Sequence, residues 1–172
     1  MGTIAKEIAR LDATHRKLLD MIAPLDDELF ARRPSPDRWS IAEIVHHLCL
    51  VERRVIEQLE RALDAPPRRM KLLQRLIPVA LLVGSRVVRV KAPKAVEPLD
   101  APSKKEVIAN YESVRARLKE FGTQLGRERL QQLSMKHPAL GTFDGVRAIS
   151  FAGHHEQRHY KQIKETIKRI GG

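Results

Sequence analysis

Apolar residues recur at Ile4, Ile8, Leu11, Leu18 and Ile22, and with His15 included the steps alternate between four and three. That period sets them on one face of a helix. Pro24 and the acidic run Asp26-Asp27-Glu28 predict its end. His15, inside this series, reads as a histidine at the rim of the core, satisfied by a neighbour. Ser40 and Glu43 predict the second helix, because S-x-x-E is the spacing of a capping box, and Trp39 and Ile44 are spaced for a hydrophobic staple. Its apolar stripe runs Ile41, Ile44, Leu48, Val51, Val55, Leu59, with Leu48 near the centre at about 100° per residue. His47 falls on the shoulder of the stripe and can point inward. His46 falls nearly opposite and is expected to face water. Glu52 lies within the stripe, an uncomfortable place for a lone charge. Pro66-Pro67 closes the helix.

A third helix opens on a second capping box, Ser103 and Glu106, and repeats the stripe at Val107, Tyr111, Val114, Leu118, Phe121 and Leu125. Gly126 is its expected stop. The loop His137-Pro138-Ala139-Leu140-Gly141 follows, and then Thr142 as a candidate N-cap. The last helix is predicted to run to about Arg169, with Ile149, Ala152, Ile163, Ile167 and Ile170 on its apolar face. His159 and Glu156 lie within that face, His155 on its shoulder, and His154 points away from it. Long amphipathic helices with no convincing strand predict an all-α protein, an up-down four-helix bundle.

Between the second and third long helices lies a basic helical or extended insertion. From Pro66 to Val96 it carries Arg68, Arg69, Lys71, Arg75, Arg86, Arg89, Lys91 and Lys94 and no acidic residue. Pro78 breaks it, and Pro93, Pro98 and Pro102 mark an extended connection. It reads first as a connection packed on the bundle with solvated charges, and alternatively as a surface for a membrane or an acidic partner.

Length changes the picture little: 172 residues suit one domain over 1–172. A single cysteine, Cys49, excludes a disulfide framework and a cysteine-built zinc finger and reads as a small buried filler. The longest apolar stretch, Val79 to Val83, is far too short to span a bilayer, and the first residues lack a signal-peptide core, so a cytoplasmic location is expected. The net charge of +11 permits anionic partners, but 4% aromatic residues provide no stacking platform for single-stranded nucleic acid, and no specific nucleic-acid partner is expected.

The histidines carry the candidate chemistry. His155 and His159 are spaced i, i+4, so two imidazoles can chelate one cation. His47, inward-facing on another helix, is the natural third ligand. Three neutral imidazoles leave a coordination position for water or substrate and suit Zn, Ni, Fe or Cu. Spacing alone leaves open that the three are structural. His137 reads first as a turn residue and second as a catalytic one. Glu52 and Glu156 fit either acceptors for imidazole N–H groups or partners of an arginine such as Arg158 or Arg147. Tyr111 and Tyr160 read as packing residues with wet hydroxyls.

Several short pieces together resemble the DinB-like (DinB/YfiT) family of metal-binding four-helix-bundle proteins. They are the run from Trp39 to Leu48 with His47, Glu52 after it, His137-Pro138 with Gly141, and His155 to His159 with Gln162-Ile163. They span residues 39 to 163. The resemblance implies a bundle of DinB-like type and a divalent metal, commonly zinc or nickel, on His47, His155 and His159. It also implies a small-molecule substrate and, in some relatives, a low-molecular-weight thiol. The expected function is a metal-dependent hydrolase or thiol-dependent transferase. The alternatives are a metal-binding or stress-related bundle without turnover, and an electrostatic binder using the basic insertion. A homodimer is compatible with the plentiful apolar faces. The 66–96 segment departs from the family, so substrate class does not carry over.

Overall fold

A computed structural model describes residues 2–66, 79, 83, 92–98, 102–138 and 140–171. Most of the basic insertion, including Pro78 and every cation named above except Lys94, lies outside the described residues. Among those described, no helix is long and apolar enough to cross a membrane.

The expected periodicities become long helices. α1 spans Gly2–Ile22, α2 is a single turn at Asp27–Ala31, and α3 spans Ile41–Arg61. α4 spans Lys104–Leu130 and α5 spans Gly145–Ile170. Both capping boxes form. The Glu43 carboxylate accepts the Ser40 N–H at 2.8 Å and the Ser40 hydroxyl accepts the Glu43 N–H at 3.2 Å; Ser103 and Glu106 do the same for α4. Gly126 acts as a break within α4, because its φ of 64° suits glycine and interrupts the helical path before a last turn ending at Leu130.

The core is the sum of the predicted stripes. Leu11, Leu18 and Ile22 of α1 meet Ile44, Leu48 and Leu59 of α3, Tyr111 and Leu118 of α4, and Ile149 and Ile163 of α5. α1 packs against α4 and α5, and so does α3. The successive long helices α1 and α3 therefore stand across the bundle from each other. The short α2 carries the chain across, held by the Asp26 carboxylate accepting the Leu29 N–H at 2.7 Å and by the buried Phe30. Lys104 ties the start of α4 to the end of α1 by donating to the Ala23 carbonyl at 3.0 Å and to that of Leu25.

Two sequence expectations are corrected. The stretch around His137-Pro138 is an antiparallel hairpin, β1 at Ser134–His137 and β2 at Gly141–Asp144, with Met135 opposite Phe143. Gly141 closes it with φ of 81°, a conformation that a side chain would strain. Because residues 142–144 are extended, Thr142 cannot cap α5. Asp144 does so, accepting the Arg147 N–H at 2.9 Å.

Candidate metal centre

α3 and α5 lie side by side, and each brings histidines to the shared groove. His47 is buried on α3, His159 is buried on α5, and His155 is half-buried one turn before it. Their ring centroids are 5.2 Å apart for His47 and His155, 5.0 Å for His47 and His159, and 4.5 Å for His155 and His159. One ligand nitrogen from each lies within 4.8 Å of the others. The structure thus brings together the three residues the helical spacing singled out. Among the described residues it assembles no other such group.

The protons of two rings are fixed by their partners. His47 Nδ1 is 2.7 Å from the Val96 carbonyl oxygen, which can only accept, so Nδ1 carries the hydrogen and Nε2 the lone pair. Val96 reaches this position at the end of a short 3-10 turn, Lys94–Val96. His159 Nδ1 donates likewise to Gln162 Oε1 at 2.8 Å, one turn along α5. His159 Nε2 then faces His155 Nε2 at 3.2 Å. Two nitrogens on one tetrahedral zinc, each at about 2.05 Å, would be about 3.3 Å apart. The donor set therefore fits a divalent cation in chemistry and in its tightest spacing, and the wider separations need side-chain closure of little more than an ångström.

His47 and His155 are both biased toward the neutral form. Burial pushes the His47 pKa below its ordinary value, with His46 adding to the effect and the Val96 contact opposing it. His155 lies well below, first because of burial and then through His159, His47, Arg158 and His137. Neutral imidazole is the form that ligates a metal.

A cavity of about 720 Å³ opens beside the triad. Trp39, Val51, Met135 and Phe151 give it apolar walls, and side chains of both charges line it too, Arg38, Arg54, Lys136 and Arg158 with Asp37, Glu97 and Glu165. Trp39, expected as a staple, stands in this wall with its ring 5.0 Å from His47. His137 lines the cavity as well as holding its turn, since its Nδ1 accepts the Leu140 N–H at 3.2 Å. Burial lowers its pKa, so the ring is neutral and its proton sits on Nε2.

Other histidines and acids fall elsewhere. His46 does not face open water: it is half-buried, with Nδ1 enclosed and without a hydrogen-bond partner among the described residues. His154 is half-buried outside the triad. His15 is satisfied by a neighbour, its Nδ1 lying 3.2 Å from Glu156 Oε1. Glu52 and Glu156 do not serve the triad imidazoles, and their arginine is neither Arg158 nor Arg147. Arg115 of α4 donates through Nε to Glu52 at 3.0 Å and through Nη1 to Glu156 at 3.2 Å. The Tyr111 hydroxyl, expected to be wet, is buried and donates to Glu156 at 2.7 Å. Burial raises the Glu52 carboxyl, with Arg115 pulling against it. Burial also works against the Arg115 charge, but Tyr111, Glu52 and Glu156 outweigh it and raise its pKa.

Sequence reasoning missed Arg115, Gln162 as a partner of His159, and the Val96 carbonyl. A signal existed for the first. Arg115 follows Tyr111 by one turn on the buried face of α4, as Glu52 does Leu48 on α3, and opposite charges inside two apolar stripes invite pairing.

Comparison with known proteins places this site in context. The family model of the DinB superfamily matches residues 10–163. YuaE of Bacillus subtilis (strain 168), an uncharacterized protein, is 31% identical over 148 residues, covering 85% of this chain and 88% of YuaE. Bacillus subtilis YfiT, described as a probable metal-dependent hydrolase with an unusual four-helix bundle topology, superposes with a TM-score of 0.66 at 15% identity over 98% of this chain and 87% of its own. The four-helix bundle protein TT2238 gives 0.63 at 20% identity over 95% and 99%.

Proposed function

The chain belongs to the DinB superfamily, and on that premise we propose that it is a metal-dependent enzyme acting on a small molecule. His47, His155 and His159 hold one divalent cation, zinc or nickel, and the reaction is a hydrolysis or the transfer of a low-molecular-weight thiol. The observation that carries this reading is the converging imidazole triad, with two of its rings tied off at Nδ1, beside an open cavity. A closed storage site would not need that cavity.

When bound, the cation supplies Lewis acidity, which acidifies a water or thiol and polarises an electrophile. The protein supplies the rest. Val96 and Gln162 orient the rings and select the Nδ1–H tautomer, which leaves Nε2 of the neutral ring as the ligating atom. Trp39 and Phe151 wall the site, and the mixed charges around them suit a substrate with an apolar body and a polar end. His137 adds a polar ring to the cavity wall. The role of YfiT supports the hydrolytic branch.

The test is elemental analysis of tag-free protein beside His159→Ala, followed by hydrolase and thiol-transfer panels. The expected result is close to one equivalent of metal in the wild type, loss of it in the variant, and turnover that depends on it. Metal without turnover on either panel would favour the non-enzymatic metal-binding bundle. No metal after reconstitution would overturn the reading.

A further inference from the structure

The buried ion cluster beneath the triad has no part in the chemistry above. None of Glu52, Tyr111, Arg115, Glu156 or His15 lines the cavity, and all five are buried. Such a network is a poor way to gain stability, because desolvating the charges offsets most of their attraction, and apolar residues of equal volume often do as well. What it provides that apolar packing does not is direction.

Arg115 touches each of the other long helices. On α3 its Nε donates to Glu52 Oε2 at 3.0 Å and its Nη2 to Oε1, a two-pronged contact. On α5 its Nη1 donates to Glu156 Oε2 at 3.2 Å, and its Nη2 lies 3.1 Å from Oε1. On α1 its Nη1 donates to the Leu11 carbonyl at 3.0 Å. Tyr111 and His15 complete the ring around Glu156. The carboxylates it grips are on the two helices that carry the triad. Glu156 lies between His155 and His159 in sequence, and Glu52 is about a turn and a half beyond His47. Apolar ridges tolerate small slides of one helix along another. A ligand set must hold its geometry within about 0.5 Å.

We propose that Arg115 is a positioning residue for the metal centre: by gripping Glu52 of α3 and Glu156 of α5 in one guanidinium, it sets the register at which His47 meets His155 and His159. The inference rests on the metal reading of the triad.

The experiment compares wild type with a neutral, volume-conserving variant, Glu52→Gln/Arg115→Met/Glu156→Gln, and with Arg115→Lys, which keeps the charge and loses the fork. Apo melting temperature, zinc affinity by chelator competition, and the visible spectrum of the cobalt(II)-substituted protein are read on each. The triple variant is expected to fold and melt near or above wild type, bind zinc at least about tenfold more weakly, and show an altered cobalt spectrum. Arg115→Lys is expected to fall between the two, and it carries the test alone if the triple variant does not fold. Zinc affinity and cobalt spectrum unchanged in a folded variant would overturn the positioning role and leave the metal reading intact. A wild type that binds no zinc would overturn both.

Discussion

The same two helices build two polar clusters that behave in opposite ways. On one side of the α3–α5 contact, Glu52 and Glu156 close with Arg115, Tyr111 and His15 into a network whose members satisfy one another. On the other, His47, His155 and His159 turn three ring nitrogens toward a shared point beside a cavity. The first is saturated and sealed. The second is open to the cavity, and two of its rings are tied off at Nδ1, by the Val96 carbonyl and by Gln162. The first cluster is therefore architecture and the second is the candidate for chemistry. A buried polar group whose partners are complete can hold a fold in register. One that turns its ring nitrogens to a shared point beside open space has room for something the protein does not supply.

The contrast can be broken most forcefully at Arg115. Arg115→Ala leaves two buried carboxylates without their cation and is expected to cost about 3–5 kcal/mol in urea unfolding of the apo protein. A smaller loss than that of an ordinary surface substitution would show the cluster is not sealed. His155→Gln works the other way. The apo protein is expected to melt close to wild type, because no paired charge is lost. The stabilisation that added zinc gives the wild type, about 2.7 kcal/mol at a hundredfold excess over Kd, is expected to vanish. A zinc-induced melting shift that survives in this variant would take His155 out of the ligand set.

Gln162→Leu sharpens the reading of the open cluster. It removes the acceptor that fixes the His159 proton on Nδ1 and is expected to weaken zinc binding about 10- to 100-fold with little change in apo stability. Tyr111→Phe does the same for the sealed cluster. It removes a hydroxyl donor from Glu156 and is expected to cost about 1 kcal/mol of stability with zinc affinity within error of wild type.

The smallest effect lies outside both clusters, at the start of α3. Burial would raise the Glu43 carboxyl, but the Arg33 ion pair and the Ser40 contacts outweigh it and hold it below the usual 4.5. A carboxyl depressed on folding contributes stability above its unfolded value and loses it as pH falls through the folded one. Glu43→Gln should therefore lower stability by less than about 1 kcal/mol above pH ~4.5, with the two proteins converging in melts at lower pH.

Much of this was legible beforehand. The four long helices follow from local period and caps: Ser40 with Glu43 and Ser103 with Glu106 begin helices where expected. The triad was legible for the same reason, since i, i+4 spacing and helical phase fix which way His47, His155 and His159 point. The hairpin was not. Its strands, Ser134–His137 and Gly141–Asp144, are too short to display alternation. They hold because Met135 and Phe143 are buried against the bundle and the Lys136 N–H finds Gln58 Oε1 at 3.3 Å.

Local pattern along the chain fixes the bundle's helices, their buried faces and the inward histidines, because each depends on neighbours within a turn or two. Tertiary structure decided the rest. That α1 and α3 lie across the bundle, that Glu52 meets Arg115 rather than an imidazole, and that the Val96 carbonyl accepts the hydrogen bond of His47 Nδ1 are choices among distant partners. Local pattern says only that a buried charge needs a partner; the packing of other helices against it decides which one arrives.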